Sequence, residues 1–187
     1  MEKFLLESPK IIPNEDPRYN HLNDRELNAE FGEYYFNNFQ PVSTFVFGNN
    51  LTWSVFKDGC RYFVASNATK ASYFIGAKLS GQEIDDNGFR FTEAWNSSNT
   101  PSLARETIFK YFLNVYNFIQ SDNLHTPYGK EYWKKILTEG LKRKKRCTVV
   151  TFLKNNIDSE VEISDTSNID KYWEDNNSRN IVFRVYS

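Results

Sequence analysis

Apolar positions change their spacing several times along this chain, and each change predicts a change of element. Residues 8–23 carry Pro9, Pro13 and Pro17 among polar neighbours, which predicts an extended connection, because proline removes a backbone donor and stops a helix. From Asn23 the spacing turns helical. Asn23 is placed to cap, Glu26 follows three residues on as in a capping box, and Leu27, Phe31, Tyr34 and Tyr35 recur at i, i+4, i+7 and i+8. That stripe predicts an amphipathic helix with those four residues toward the core. At Thr44 the period falls to two. Leu51–Phe56 and Cys60–Ala65 flank Asp58-Gly59 and read as a hairpin, since Asp-Gly tolerates the positive φ of a tight turn. Asn67–Lys70 predicts the next turn, Ala71–Leu79 a third strand and Gly81–Gly88 a loop, so this part reads as an antiparallel meander.

The stretch Phe89–Leu137 then encodes strand, helix, short strand and helix in succession. Phe89–Trp95 alternates aromatic and polar residues. Thr100-Pro101 supplies a cap and a first-turn proline, after which Ala104, Ile108, Phe112 and Val115 share one face and Glu106, Lys110, Asn114 and Asn117 the other. Phe118-Ile119-Gln120 is a short strand ending at Ser121-Asp122. Thr126-Pro127 opens a second helix carrying Tyr132, Trp133, Ile136 and Leu137. Two strands joined by a helix lie parallel in one sheet, and ligands in such sheets sit where those strands end. Beyond Gly140 come a basic run, a β-rich segment Arg146–Leu153, a polar stretch with Tyr172 and Trp173, and a closing strand Asn180–Ser187. No repeat or long linker interrupts the chain, which reads as a single domain over 1–187, with an extended segment and helix in 1–43 and the core in 44–187.

This element order resembles the GNAT acetyltransferase superfamily, and among its members GNAT-like phage proteins. In these a Ser-Asp pair ends the fifth strand and is followed by a Thr, a Gly and an aromatic residue, which Ser121, Asp122, Thr126, Gly129 and Trp133 match in order. Tyr172-Trp173 and the strand Asn180–Arg184 are similar to their last hairpin. The resemblance implies an α+β, three-layer α/β/α fold. It has a GNAT-like mixed sheet, an antiparallel meander, a parallel crossover and a C-terminal strand pair. It also implies acetyl-CoA as cofactor, held by Trp95, Asn96, Asn99, Ser102, Leu103, Ala104, Ser121, Asp122 and Asn123, with His125 and Tyr128 toward the substrate. Superfamily members receive the pyrophosphate on a loop of Arg or Gln, two residues, Gly, one residue, then Gly or Ala. Here that loop is Asn99-Thr100-Pro101-Ser102-Leu103-Ala104, so Ser stands for the first Gly and Pro101 deletes an N–H.

Acyl transfer to an amine needs a base for the ammonium proton and an acid for the departing thiolate. Glu93, on the strand with Phe89, Phe91 and Trp95, is the candidate base, against a reading as a carboxylate paired with Lys or Arg. Tyr132 is the candidate acid, against a reading as a core aromatic. His125 could meet a phosphate or stay in solvent. The implied activity is N-acyl transfer from acyl-CoA to an amine. The alternative is a catalytically inactive GNAT-like phage protein that binds another protein, as a virion component or an inhibitor of a host factor.

Composition changes this picture little. Aromatic residues make 17% of the chain, enough to fill a core, and 21 Asn fit a biased genome. A formal net charge of -1 gives no global attraction to nucleic acid or anionic membrane, and Lys142–Arg146 carries no interleaved aromatics, which argues against nucleic acid. MEKFLLESPK has neither the apolar run of a signal peptide nor the length of a spanning helix, so a cytoplasmic protein is expected, in the host cytoplasm or virion if phage-encoded. Cys60 and Cys147 have no ligand-spaced partners, so no metal is expected and both read as small core residues.

Overall fold

The computed structural model describes residues 10–11, 20–69, 72–122, 127–153, 156–167, 169–174 and 181–187. In chain order its elements are β1 (Lys10–Ile11), α1 (Asn20–Asn23), α2 (Arg25–Asn38), β2 (Ser43–Phe47), β3 (Leu51–Asp58), β4 (Arg61–Thr69), β5 (Ser72–Ile84) and β6 (Gly88–Asn96). There follow α3 (Leu103–Thr107), a π turn (Ile108–Phe112), α4 (Leu113–Val115), β7 (Phe118–Gln120), α5 (Pro127–Lys142), β8 (Cys147–Leu153), β9 (Asn156–Glu162), α6 (Lys171–Glu174) and β10 (Ile181–Tyr186). The fold is α+β with mixed strand pairing. Residue contacts cluster into two compact units, a meander unit of residues 12–81 and 93–112 and a C-terminal unit of residues 1–11, 82–92 and 113–187.

In the meander unit β2, β3, β4 and β5 pair antiparallel in sequence order. The Asp58↔Arg61 pair closes the β3–β4 hairpin, and Gly59 at φ 60° supplies the positive φ that the tight turn needs. Tyr35 of α2 stacks on Phe63 at 4.4 Å and Phe36 meets Phe56 edge-on at 4.9 Å, within a core that includes Leu22, Ile75 and Trp95. The helix differs from expectation in its cap and in its buried face. Asp24, not Asn23, is the N-cap, and its carboxylate accepts from the N–H groups of Glu26 and Leu27. The face turned inward carries Asn28, Gly32 and Tyr35, while Leu27, Phe31 and Tyr34 are exposed.

Close approach and hydrogen bonding decide this orientation. Asn28 Oδ1 accepts from Ile75 N–H at 2.7 Å, and its Nδ2 donates to Ile75 O at 3.0 Å and Leu22 O at 2.8 Å. A Cβ on Gly32 would fall 2.7 Å from Tyr73 Cβ, so only glycine lets the helix lie this near β5. The stripe Leu27, Phe31 and Tyr34 sits one residue back on the helix, about 100° around, and therefore faces out.

In the C-terminal unit β6 and β7 pair parallel, from Gly88↔Phe118 to Arg90↔Gln120, as the crossover predicts. β10 pairs antiparallel with both β7 and β8, and β8 pairs with β9. α5 packs against β8 and β10. Five further expectations are corrected. β4 runs to Thr69, so Asn67–Thr69 is strand, not turn, and residues 70–71 lie outside the described set. β5 runs through Gly81 to Ile84, and the chain turns at Asp85–Asn87, where Asp86 and Asn87 take positive φ. The π turn adds a residue to its hydrogen-bonded ring, which slips the helical phase, so Leu113 and Tyr116 are buried and Val115 is exposed. β9 makes a third late strand where only a polar stretch was expected. Cys147 is buried as expected, but Cys60 is exposed beside Gly59; both thiols are free.

Candidate functional site

The meander unit holds the candidate base and the candidate pyrophosphate loop. Glu93 Oε2 lies 3.2 Å from Lys78 Nζ and 3.3 Å from Ser80 Oγ, both on neighbouring positions of β5. Its acceptor atom therefore faces an ammonium and a hydroxyl of its own chain, the arrangement of a paired structural carboxylate. Trp95, two residues on, is buried in the core with Tyr35 and Phe63, so its indole is part of the packing and is not displayed to a ligand.

The loop that follows is hydrogen-bonded within itself. Asn96 Oδ1 accepts from Ala104 N–H at 2.8 Å, Thr100 O from Leu103 N–H at 3.1 Å and Ser102 O from Glu106 N–H at 2.9 Å. Pro101 has no N–H to offer. Thr100, expected to cap the helix, instead donates its hydroxyl to Gly76 O at 2.8 Å, and the cap comes from Asn96, eight residues earlier in the chain than the amide it satisfies. Helix N-termini bind anions because their first amides lack partners, and here a side-chain oxygen already occupies one of them. Leu103 and Ala104 have fully buried side chains. Asn99 and Ser102 line a hollow of about 260 Å³ with Phe47, Trp53, Thr100 and Pro101. Arg105 Nη2 donates to Ser102 Oγ at 3.1 Å.

The C-terminal unit holds the other predicted residues. Ser121 and Asp122 are buried directly after β7. Ser121 bonds Phe183 twice, its N–H donating to Phe183 O at 2.9 Å and its Oγ accepting from Phe183 N–H at 2.9 Å, while its hydroxyl donates to Asp122 O at 2.9 Å. The Ser-Asp pair thus extends the attachment of β7 to β10 beyond the end of the strand. Tyr132 and Trp133 are buried on α5. Asn123 and His125 lie outside the described residues, as does the side chain of Tyr128, although its backbone belongs to α5.

One set of interacting polar residues was not anticipated. Across the C-terminal unit Arg90, Gln120, Arg184, Thr148 and Glu162 stand side by side on β6, β7, β10, β8 and β9. Arg184, buried, donates from Nε to Gln120 Oε1 at 2.8 Å and lies 4.3 Å from the Phe118 ring centroid. Beside this row Glu160 accepts from Tyr186 Oη and from Arg146 at 3.3 Å. Burial opposes ionisation of Glu160, but the bond from Tyr186 and the charges of Arg146 and Arg184 hold its carboxyl below the ordinary range. Arg184 and Arg146 are bonded to Gln120 and Glu160 on neighbouring strands, which fits a ladder that ties strands together. A charge in mid-strand, as in Ile181-Val182-Phe183-Arg184-Val185, was the available signal. The basic run is similarly engaged, with Arg143 on Glu139 at 2.7 Å and Arg146 on the Tyr186 ring at 4.5 Å.

Among the described residues no cluster of three His, Cys, Asp or Glu side chains could hold a metal ion, and no helix is long and apolar enough to cross a membrane. The chain matches no family model, no curated protein and no solved structure.

Proposed function

We propose that this protein acts by binding a protein partner, on a GNAT-like scaffold, and does not transfer acyl groups. The bond from Ala104 N–H to Asn96 Oδ1 carries the reading, since it closes an amide that a pyrophosphate would need. The missing N–H at Pro101 and the ion pair of Glu93 with Lys78 add to it. Support for a GNAT-like scaffold comes from the parallel β6–β7 pair and from the C-terminal strand pair β8 and β10. A scaffold does not fix an activity, and losing one charge-assisted bond of about 1.5 to 3 kcal/mol weakens a cofactor about ten- to a hundredfold.

Isothermal calorimetry with acetyl-CoA, with desulfo-CoA as a control for the thiol, tests this. Folded protein that gives no heat at millimolar ligand is the expected result. Saturable heat at micromolar ligand would overturn the proposal.

A second reading, N-acyl transfer from acyl-CoA to an amine, is favoured by one observation, the hollow beside Asn99 and Ser102. Under it Glu93 is the base and Tyr132 the acid, and Glu93→Gln abolishes transfer without unfolding the protein. Full activity in that variant would remove Glu93 from the mechanism.

A further inference from the structure

The engagement of the basic run Lys142–Arg146 is confined to its two arginines. The carboxylates of this corner are held by them, Glu139 on Arg143 at 2.7 Å and Glu160 and Glu162 on Arg146 at 3.3 Å and 3.9 Å. The lysines are left over. Lys142 and Lys144 are exposed and Lys145 is half-buried. Lys135, also exposed, stands two turns before Lys142, about 10 Å along the same face of α5. Among the described residues no carboxylate pairs with any of these four ammonium groups.

Backbone geometry points the same way. Helix α5 ends in a Schellman motif, with Lys145 N–H donating to Gly140 O at 2.9 Å and Lys144 N–H to Leu141 O at 3.0 Å. The motif needs a left-handed residue, and Lys144 supplies it at φ 58°. Glycine would hold that position at less cost, because it has no Cβ to crowd the following carbonyl. A lysine there gives up stability and sets a charge at the tip of the turn, the mark of a residue that serves contact rather than folding.

Lysine ammonium groups on flexible stems act as point charges, whereas arginine forks fix planar anions, and here the forks are already used. The turn therefore suits a run of carboxylates with no fixed geometry. The ring beside the run, Tyr186, packs against Arg146 at 4.5 Å and Phe118 at 5.5 Å, so it offers no platform for a nucleic-acid base. A lipid surface finds no apolar anchor, since none of the described large apolar residues exposed to solvent lies between Lys135 and Arg146.

We infer that the turn between α5 and β8, with Lys142, Lys144 and Lys145 at its tip and Lys135 on the adjoining helix, is the docking site for an unstructured acidic segment, rich in Asp and Glu, of a partner protein. This rests on the binding reading and names the partner's chemistry. Because the whole chain has a formal net charge of -1, the attraction is local to the turn. It steers encounter and weakens with salt.

The test uses the full chain and two fluorescein-labelled peptides, one of alternating Glu and Ser and one of alternating Lys and Ser. Fluorescence anisotropy should show saturable binding of the acidic peptide alone, with affinity falling severalfold as salt rises through the range where the Debye length shrinks from about 10 Å to about 3 Å. The triple variant Lys142→Gln, Lys144→Gly, Lys145→Gln should weaken it about tenfold or more, whereas Arg25→Gln on α2, which removes a charge elsewhere, should change nothing. Lys144→Gly alone should melt at or above the temperature of the unaltered protein and still bind severalfold more weakly. No binding of the acidic peptide, binding indifferent to the triple variant, or a Lys144→Gly variant that melts lower and binds as before would overturn the inference. So would tighter binding of a thymidine oligonucleotide of equal charge, or of phosphatidylserine vesicles, because the occupant would then be nucleic acid or membrane. Acetyl-CoA heat is measured separately on the same variants: a silent peptide removes the lysine site alone, whereas saturable acetyl-CoA heat that persists in the triple variant removes the binding reading beneath it.

Discussion

Two regions of the meander unit make opposite use of their interaction groups. The Asn96–Ala104 segment, where sequence places a cofactor, is tied down within its own unit: Asn96 on Ala104, Thr100 on Gly76 and Arg105 on Ser102. The outer face of α2, where sequence places core, leaves three large apolar residues and three carboxylates to solvent. Satisfied donors gain little from a new partner, because every bond formed must first break one of similar strength. Exposed apolar area and unmatched charge gain most. The loop's polar groups therefore serve stability.

Four variants sharpen that contrast, in decreasing order of expected effect on stability. Asn28→Ala removes three buried hydrogen bonds and strands the N–H and C=O of Ile75, so urea unfolding should show a loss of at least about 3 kcal/mol. A smaller loss would mean that apolar packing, not Asn28, orients α2. Gly32→Ala puts a methyl against Tyr73 Cβ and should cost about 1 to 3 kcal/mol by the same measurement. A neutral result would show that the helix can move away from β5 freely. Asn96→Ala removes the cap on Ala104 and should cost about 1 kcal/mol, while calorimetry with acetyl-CoA stays silent. Acetyl-CoA binding gained by this variant would identify Asn96 as the sole obstacle in the loop. Smallest is the double change Leu27→Ser, Tyr34→Ser, which should alter stability by less than about 0.5 kcal/mol per site. A large destabilisation would return these residues to a structural role.

Much of the fold is legible in the sequence because period and turn chemistry agree. Asp58-Gly59 marks the β3–β4 hairpin, and the strand, helix and strand from Phe89 to Gln120 give the parallel pair. The face of α2 is not legible, because hydrophobicity ranks Leu27 and Phe31 above Asn28 and Gly32, whereas a buried amide bonded to a strand and a glycine under close contact outweigh that ranking. β9 escapes notice because Asp158, Glu160 and Glu162 dilute the apolar signal of Ile157 and Val161 on an exposed strand. Of the site, Ser121 and Asp122 stand out as a motif, but their bonds to Phe183 depend on a strand 62 residues later and cannot be read locally. The cap of Ala104 by Asn96 is equally hidden, since it spans a turn of eight residues.

That the loop holds no cofactor is tested most directly by an NMR titration of nitrogen-labelled protein with acetyl-CoA. The ligand should leave the amides of Ser102 and Ala104 unmoved. Saturable shifts of both at micromolar acetyl-CoA would contradict the account.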